Sequence, residues 1–321
     1  MRLAPLALAP ILLLSFSAPA VSAPALWKLG DADTTIYLFG TIHALPPKYR
    51  WKDARIAKAL SSADTLVIET VIDKDPQAMA RLFPPPDPTL PRLVDRVAPK
   101  HRKAFAAQLA RTGLNISALD RMPTWQASFA LMGAMMKDLG IDRASGVENS
   151  ISDGFTDAAP VPGAAGGLRR VEGLETPASQ LALFANLAET DQRELLESMV
   201  SGKGKAQVDY HRMLSAWSRG DERAIARAFA EDKDLTPHLR EILLRQRNAN
   251  WAQWLKARLD TPGVVFVAVG AGHLAGPMSV QHMLAEAGIR VVRVNAPAAA
   301  YSKGRVLHRS GGRKIAKLGT P

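Results

Sequence analysis

Short apolar runs alternate with longer amphipathic stretches along most of the chain. The apolar runs have the length of buried strands and cover residues 26–29, 35–39, 65–68 and 264–269. Two more polar segments, 169–174 and 290–294, are also predicted to be strands. The longer stretches place apolar residues at helical spacing and cover residues 54–60, 75–140, 177–258 and 277–287. Phe129, Met132 and Met136, for example, recur on one face of a helix predicted over 124–139.

The order of these elements predicts the fold class. A strand at 35–39, a helix at 54–60 and a strand at 65–68 follow one another, which is typical of a parallel crossover unit. The final strands are again separated by a helix. We therefore predict a mixed α/β fold with a largely parallel central sheet, flanking helices and a large helical portion.

The first residues have the composition of a secretory signal peptide. A basic start, Met1-Arg2, is followed by an apolar stretch to Phe16 and by small residues up to Ala23. We predict that residues 1–23 are cleaved and that the protein is periplasmic or secreted. No later segment is apolar and long enough to cross a bilayer, so the folded α/β domain is predicted over 24–298.

The charge of the chain limits the kinds of partner that we expect, and its lack of cysteine limits the kinds of site. The net charge is +11, and residues 299–321 contain six Lys or Arg residues and no acid. This basic segment is predicted to be a disordered solubilising tail, with contact to anionic surfaces as the alternative. Because the rest of the chain is only mildly basic, we expect no nucleic-acid partner. The chain has no cysteine, which excludes a disulfide framework, a thiol nucleophile and a cysteine-based zinc site.

Two Gly-x-x-His elements each follow a predicted strand, near opposite ends of the chain. They are Gly40-Thr41-Ile42-His43 and Gly270-Ala271-Gly272-His273. Open α/β folds bind ligands at the carboxyl edge of their parallel strands. Glu69 and Glu175 also end predicted strands, so we expect all four ionisable side chains in one cleft. Alternatively, Glu69 and Glu175 stabilise the N-termini of the helices that follow them, and the two histidines have only a structural role.

Imidazole nitrogens and carboxylate oxygens together suit zinc, manganese or iron(II). A divalent ion in such a site activates water for attack on a carbonyl; without metal, the same groups suit acid/base catalysis. The sequence has no G-x-S-x-G, H-E-x-x-H or Walker motif, which excludes the commonest serine hydrolase, zincin and nucleotidase templates. The glycines after residue 269 only weakly resemble a dinucleotide-binding loop.

A further polar patch lies in the last long helical stretch. Arg247, Trp251 and Trp254 share one helical face, and Asn248 adjoins Arg247. Arg247 is a candidate for holding an anionic substrate group or a developing oxyanion, and Asn248 for orienting a ligand. The alternative is that Arg247 pairs with a site acid beside packed tryptophans.

In these motifs the chain resembles the TraB/GumN family, which is related to the Tiki proteins. The matching elements are Leu26-Trp27-Lys28, the segment from Tyr37 to His43 with Pro46-Pro47, Leu66-Val67-Ile68-Glu69, Gly173-Leu174-Glu175-Thr176 with Gln180, Arg247-Asn248 with Trp251, and Val267 to Leu274 with Gly276. The resemblance spans about residues 26–294 and implies a fold similar to erythromycin esterase and the ChaN proteins. Where relatives often have Gly-Val-Asp, this chain has Gly146-Val147-Glu148. If the acid of this segment lies in the cleft, the longer side chain of Glu148 changes the geometry there.

Tiki relatives are described as divalent-metal-dependent proteases, so the resemblance implies a metal site of His43, Glu69 and His273. Manganese, cobalt, zinc and iron are the candidate ions, with Glu69, Glu175 and Arg247 as catalytic residues. We expect an exported metal-dependent hydrolase that acts on a peptide or a small molecule. The alternative is a non-catalytic periplasmic binding protein for a peptide, haem or a polysaccharide component. In a third interpretation, the motifs only hold the sheet edge together.

Overall fold

The computed structural model describes residues 23–73, 75–159, 161, 168–232 and 235–295. Residues 1–22 of the predicted signal peptide, the basic tail and the whole glycine/alanine-rich segment 163–167 lie outside these residues. Six strands form one sheet in the order β4-β3-β5-β2-β1-β6. They are β1 (Leu26–Gly30), β2 (Thr34–Thr41), β3 (Thr65–Thr70), β4 (Arg170–Glu175), β5 (Gly263–Gly270) and β6 (Val292–Arg293).

The centre of the sheet is parallel. β5 lies between β2 and β3 and is parallel to both, and β4 extends β3 in parallel, while β1 and β6 add antiparallel pairs at one edge. The predicted α/β class is therefore confirmed. The predicted crossover unit is right in direction, but its two strands are not neighbours, because β5 from the end of the chain inserts between them.

Helices cover both faces of this sheet and form a separate lobe. The described residues include α1 (Ala54–Ser62), α2 (Pro76–Ala80), α3 (Arg102–Thr112), α4 (Ile116–Leu119), α5 (Thr124–Asp138), α6 (Val147–Ser152), α7 (Pro177–Ala185), α8 (Glu189–Ser198), α9 (Gly202–Ser218), α10 (Glu222–Glu231), α11 (Pro237–Arg240), α12 (Gln246–Arg258) and α13 (Val280–Glu286). No described helix has the length and apolar content that a bilayer span requires.

Alternate residues of β5 enter two different cores. Phe266 and Ala268 pack with Trp217 and Ile56 on the face covered by α1, α9 and α10. Val265, Val267 and Val269 pack with residues of α12 and α13 on the other face. Because both faces are buried, β5 is apolar throughout, which explains why its sequence predicts it so clearly. A third core, formed by residues of α3, α5 and α8, belongs to the helical lobe.

Two elements differ from their sequence-based expectations. The closing strand is only Val292–Arg293, rather than 290–294, because it pairs with only two residues of β1, Trp27 and Lys28, at the edge of the sheet. The helical region predicted over 177–258 is instead divided into several helices by caps: Asp221, for example, accepts a hydrogen bond from the Ala224 N–H and begins α10.

Candidate functional site

The register of the sheet brings the two Gly-x-x-His elements together. Thr41 of β2 is opposite Gly270 of β5, and the last residues of β3 and β4 lie alongside, with Thr70 opposite Glu175. His43 and His273 follow their strands by two and three residues, respectively. The structure therefore places all four predicted ionisable residues at one carboxyl edge of the sheet.

Arg247, at the start of α12, ties this edge together. Its Nε and Nη2 donate to the two oxygens of Glu175 at 2.7 and 2.9 Å, and Nη2 also donates to Glu69 Oε2 at 2.7 Å. Its Nη1 donates to the Leu243 carbonyl at 3.2 Å and lies 3.1 Å from His273 Nε2. All five N–H groups of the guanidinium therefore face partners in the protein. The structure therefore contains the alternative arrangement, in which Arg247 pairs with the site acids Glu69 and Glu175.

Trp251, one turn along α12, completes this pairing. Its ring lies under the guanidinium, with 4.7 Å between the Arg247 Cζ and the ring centre. Its indole N–H donates to Glu175 Oε1 at 3.2 Å. Glu175 does not cap the following helix, because Thr176 accepts the hydrogen bond from the Ser179 N–H in that role. Both Glu175 oxygens are therefore committed to Arg247 and Trp251.

His273 lies in a short 3-10 turn, Ala271–Leu274, and is buried. Asn248 donates its amide N–H to the Met278 carbonyl at 2.6 Å, so its Oδ1 faces His273 Nδ1, at 2.6 Å, as an acceptor. The proton of the neutral ring is thereby assigned to Nδ1, and Nε2 accepts from Arg247. Burial lowers the pKa of His273 to about 3, with the Arg247 and His43 charges acting in the same direction and Glu69 opposing them. His273 is therefore a neutral imidazole at pH 7.

Glu69 is a buried carboxylate at the end of β3. It accepts the Gly270 N–H at Oε1 at 2.7 Å, and Gln180 donates to Oε2 at 3.2 Å. Burial alone would raise its pKa, but the charges of His273, Arg247 and His43 and the Gly270 N–H outweigh burial and lower it to about 2. Since His273 is neutral at pH 7, its charge does not contribute at that pH. Glu69 also does not cap the next helix, which Asp75 begins.

His43 differs from its counterpart by being exposed. Its side chain is 58% accessible, and its Nδ1 lies 2.7 Å from Glu148 Oε1. Glu148 belongs to the first turn of α6, and the same oxygen also accepts from the Thr41 hydroxyl. The acid of the Gly146-Val147-Glu148 segment, where the chain departs from the family pattern, therefore lies in the cleft.

The side chains meet at Gly270. A Cβ at this glycine would lie 3.1 Å from Glu69 Oε1, 3.3 Å from His43 Nε2 and 3.6 Å from His273 Cδ2. At the place of the missing Cβ, here called the Gly270 pocket, one carboxylate oxygen and one imidazole nitrogen therefore approach the same point. Both atoms suit a divalent cation. His273 contributes a carbon to this border, because its Nε2 faces Arg247.

As the side chains stand, the described part of the chain contains no group of three or more His, Cys, Asp or Glu residues arranged to hold a metal ion. The donor set of His43 and Glu69 fits a metal ligand pair, and the Nδ1 of each histidine faces an acceptor, as in protein metal sites. To become a third ligand, His273 would have to give up the contact of its Nε2 with Arg247 and bind the ion with that atom instead.

Sequence reasoning missed two residues of this edge. Glu148 appears only as a departure from a family pattern, and no local spacing connects it with His43. Gln180 appears only within a motif, although its amide contacts Glu69. Both contacts depend on the order of strands and helices in space, so a pattern along the chain could not identify them.

Comparison with known proteins identifies a family for this chain. The model of the TraB/PrgY/gumN family matches residues 25–293, a range that includes both Gly-x-x-His elements, the glutamates and Arg247. No curated protein and no solved structure matches the chain significantly. Because the family match covers most of its length, the chain belongs to the TraB/PrgY/gumN family.

Proposed function

We propose that the protein is an exported metal-dependent hydrolase whose substrate is a peptide. The observation that supports this proposal best is the Gly270 pocket, where Glu69 Oε1 and His43 Nε2 approach the same point from two strands. The proposed export rests on the composition of residues 1–23.

In this proposal His43 and Glu69 hold the metal, and His273 joins them as the third ligand. A divalent ion there would act as a Lewis acid towards the carbonyl of the bond to be cleaved. Manganese, cobalt, zinc and iron(II) are all candidates, because nitrogen and carboxylate ligands suit each of them. Because His43 is exposed, a substrate would approach the metal from the side of this residue.

Glu69 suits the role of a ligand better than that of a general base. A carboxylate with a pKa of about 2 is ionised at pH 7 but accepts a proton poorly. Arg247 and Glu175 support it, since Arg247 joins the two carboxylates and Trp251 fixes Glu175. For Arg247 to hold a substrate anion or a developing oxyanion, it would have to exchange one of these partners.

Metal content of the mature protein tests the proposal. The protein is purified without an affinity tag, exposed separately to manganese, cobalt, zinc and iron(II), and analysed by mass spectrometry beside His43→Ala and His273→Ala. His282→Ala is the matched control, because its imidazole is exposed on α13 and pairs with Glu286 instead. We expect near-stoichiometric metal in the wild type and in His282→Ala, reduced metal in the other two variants, and metal-dependent cleavage of a peptide library. Absence of metal from the wild type would contradict the proposal.

The second candidate function is a binding protein that uses the same cleft for a peptide, haem or a polysaccharide component. The contact of Arg247 with His273 Nε2 favours it, because it occupies one of the three proposed metal ligands. This function predicts ligand binding without turnover, with His43→Ala lowering affinity but leaving the free energy of unfolding unchanged.

A further inference from the structure

His43 needs a partner to hold a defined orientation. It lies just beyond the end of β2, and more than half of its side chain is accessible to water. An exposed imidazole that is not held samples several rotamers. A site that depends on the position of Nε2 must restrict this motion. Glu148, with a 17% accessible side chain, is the less exposed member of the pair.

Glu148 is itself fixed to the turn that carries His43. The backbone N–H of Val147 donates to the Ile42 carbonyl at 3.1 Å, which joins α6 to the residue before His43. Val147 is fully buried in the core beneath. The Thr41 hydroxyl donates to the Glu148 oxygen that faces His43. Backbone, core and hydroxyl together hold the carboxylate in place.

This contact determines which ring nitrogen carries the proton. A carboxylate only accepts hydrogen bonds, so the nitrogen facing Glu148 Oε1, Nδ1, carries the proton of the neutral ring. The lone pair then lies on Nε2, the atom beside the Gly270 pocket. Asn248 imposes the same tautomer on His273. Glu148 on α6 thus places the proton of the neutral ring of His43 on Nδ1, and Asn248 on α12 does so for His273.

We infer that Glu148 is a positioning residue: it holds His43 as the Nδ1–H tautomer and directs Nε2 towards the Gly270 pocket. The inference rests on the proposed function for its purpose, since a metal ligand or a base at His43 would use Nε2. The tautomer itself can be measured without metal or substrate. Failure of the proposed function would therefore leave this measurement unaffected.

The direct test is long-range ¹H–¹⁵N correlation NMR of the metal-free, ¹⁵N-labelled protein, at a pH where the imidazoles are neutral. The spectrum shows which nitrogen of each ring is protonated, and His43→Gln identifies the His43 signals. We expect Nδ1–H in the wild type and in Glu148→Gln, whose amide oxygen still accepts. We expect a mixture of tautomers in Glu148→Met, which has similar volume and no acceptor oxygen.

Glu286→Met is the matched control, because Glu286 faces the exposed ring of His282 at 3.4 Å and lies outside the site. It should leave the His43 signals unchanged. In a separate titration with manganese or zinc, Glu148→Met should lower metal affinity by about 10–100-fold, as loss of a ligand-orienting partner does. Nε2–H at His43 in the wild type, or Nδ1–H that persists in Glu148→Met, would overturn the inference. If Glu148→Met does not fold, Glu148→Ala replaces it with the same expectation.

Discussion

Thr41 and Gly270 face each other in register on neighbouring parallel strands. This pairing aligns two motifs from opposite ends of the chain, yet it gives their histidines different environments. His273 is buried and fixed between Asn248 and Arg247, whereas His43 is exposed beside the Gly270 pocket. One histidine is therefore held in a buried hydrogen-bond network, and the other is accessible to a ligand.

Gly270→Ala should close the pocket without disturbing the backbone. Gly270 has φ −49° and ψ 136°, a conformation that alanine adopts readily. Its new methyl group would lie 3.1 Å from Glu69 Oε1 and 3.3 Å from His43 Nε2, so those atoms must move. We expect metal affinity to fall by about 10–100-fold, measured by titration, while the circular dichroism spectrum stays that of the wild type.

Gly133→Ala is the control for this substitution. It lies in α5, and a Cβ there would have no atom within 4 Å. It should leave metal affinity unchanged and stabilise the helix by up to about 1 kcal/mol. Equal metal affinities for Gly270→Ala and the wild type would remove the pocket from the proposed site.

Arg247→Met should destabilise the fold strongly. It leaves the carboxylates of Glu69 and Glu175 buried without their cation, and breaking a buried ion pair in this way costs about 3–5 kcal/mol. Urea unfolding at pH 7 measures the loss. Arg245→Met, whose exposed guanidinium pairs with Glu241 on the surface, should leave the unfolding midpoint almost unchanged.

A triple variant separates charge from packing at this position. Combining Arg247→Met with Glu69→Gln and Glu175→Gln removes the unpaired charges, so part of the lost stability should return. If Arg247→Met alone were as stable as the wild type, the guanidinium would not be what holds the two carboxylates at the sheet edge.

How much of this fold the sequence predicts depends on how far apart in the chain the contacting residues are. The β5 run, Val264 to Val269, is recognisable because a strand buried on both faces is apolar throughout. Its position between β2 and β3 is not, because strand order depends on pairing between distant segments. The sequence thus predicts a cleft of His43, Glu69, Glu175 and His273 only if these strands are assumed to be neighbours.

Short or polar elements are the least predictable. α6 has six residues, too few for a periodic pattern, so Glu148 has no assigned place before the structure is known. In α5 the helix is predicted, but its buried positions include Thr124 and Ser128 rather than the half-buried Phe129, Met132 and Met136. Ser128 is tolerated there because its hydroxyl donates to the Thr124 carbonyl.

Gly272→Ala should destabilise the 3-10 turn that carries His273. A Cβ on Gly272 would lie 2.5 Å from Cζ of Phe229 on α10, so the ring or the turn must shift, at a cost of about 1–3 kcal/mol. In a Phe229→Leu background the same substitution should cost much less. Thermal unfolding of the four proteins gives the coupling between the two positions, and additive effects would contradict this explanation.

Tyr210 should make the stability of the protein fall at alkaline pH. Its hydroxyl donates to the Ala44 carbonyl, next to His43, at 3.0 Å. Burial, with a smaller effect from Tyr49, raises its pKa to about 12, against an ordinary value of about 10. Between these values the folded state keeps the proton that the unfolded state loses. The free energy of unfolding therefore decreases as the pH rises from about 10 to 12.

Tyr210→Phe isolates this contribution. The variant lacks the hydrogen bond, so at pH 8 we expect it to be less stable than the wild type by about 0.5–1.5 kcal/mol. It also lacks the ionisable group, so the difference between the two proteins should shrink as the pH approaches 12. Urea unfolding midpoints at pH 8, 10 and 11 measure this convergence. Parallel pH profiles would mean that the Tyr210 proton is not linked to folding.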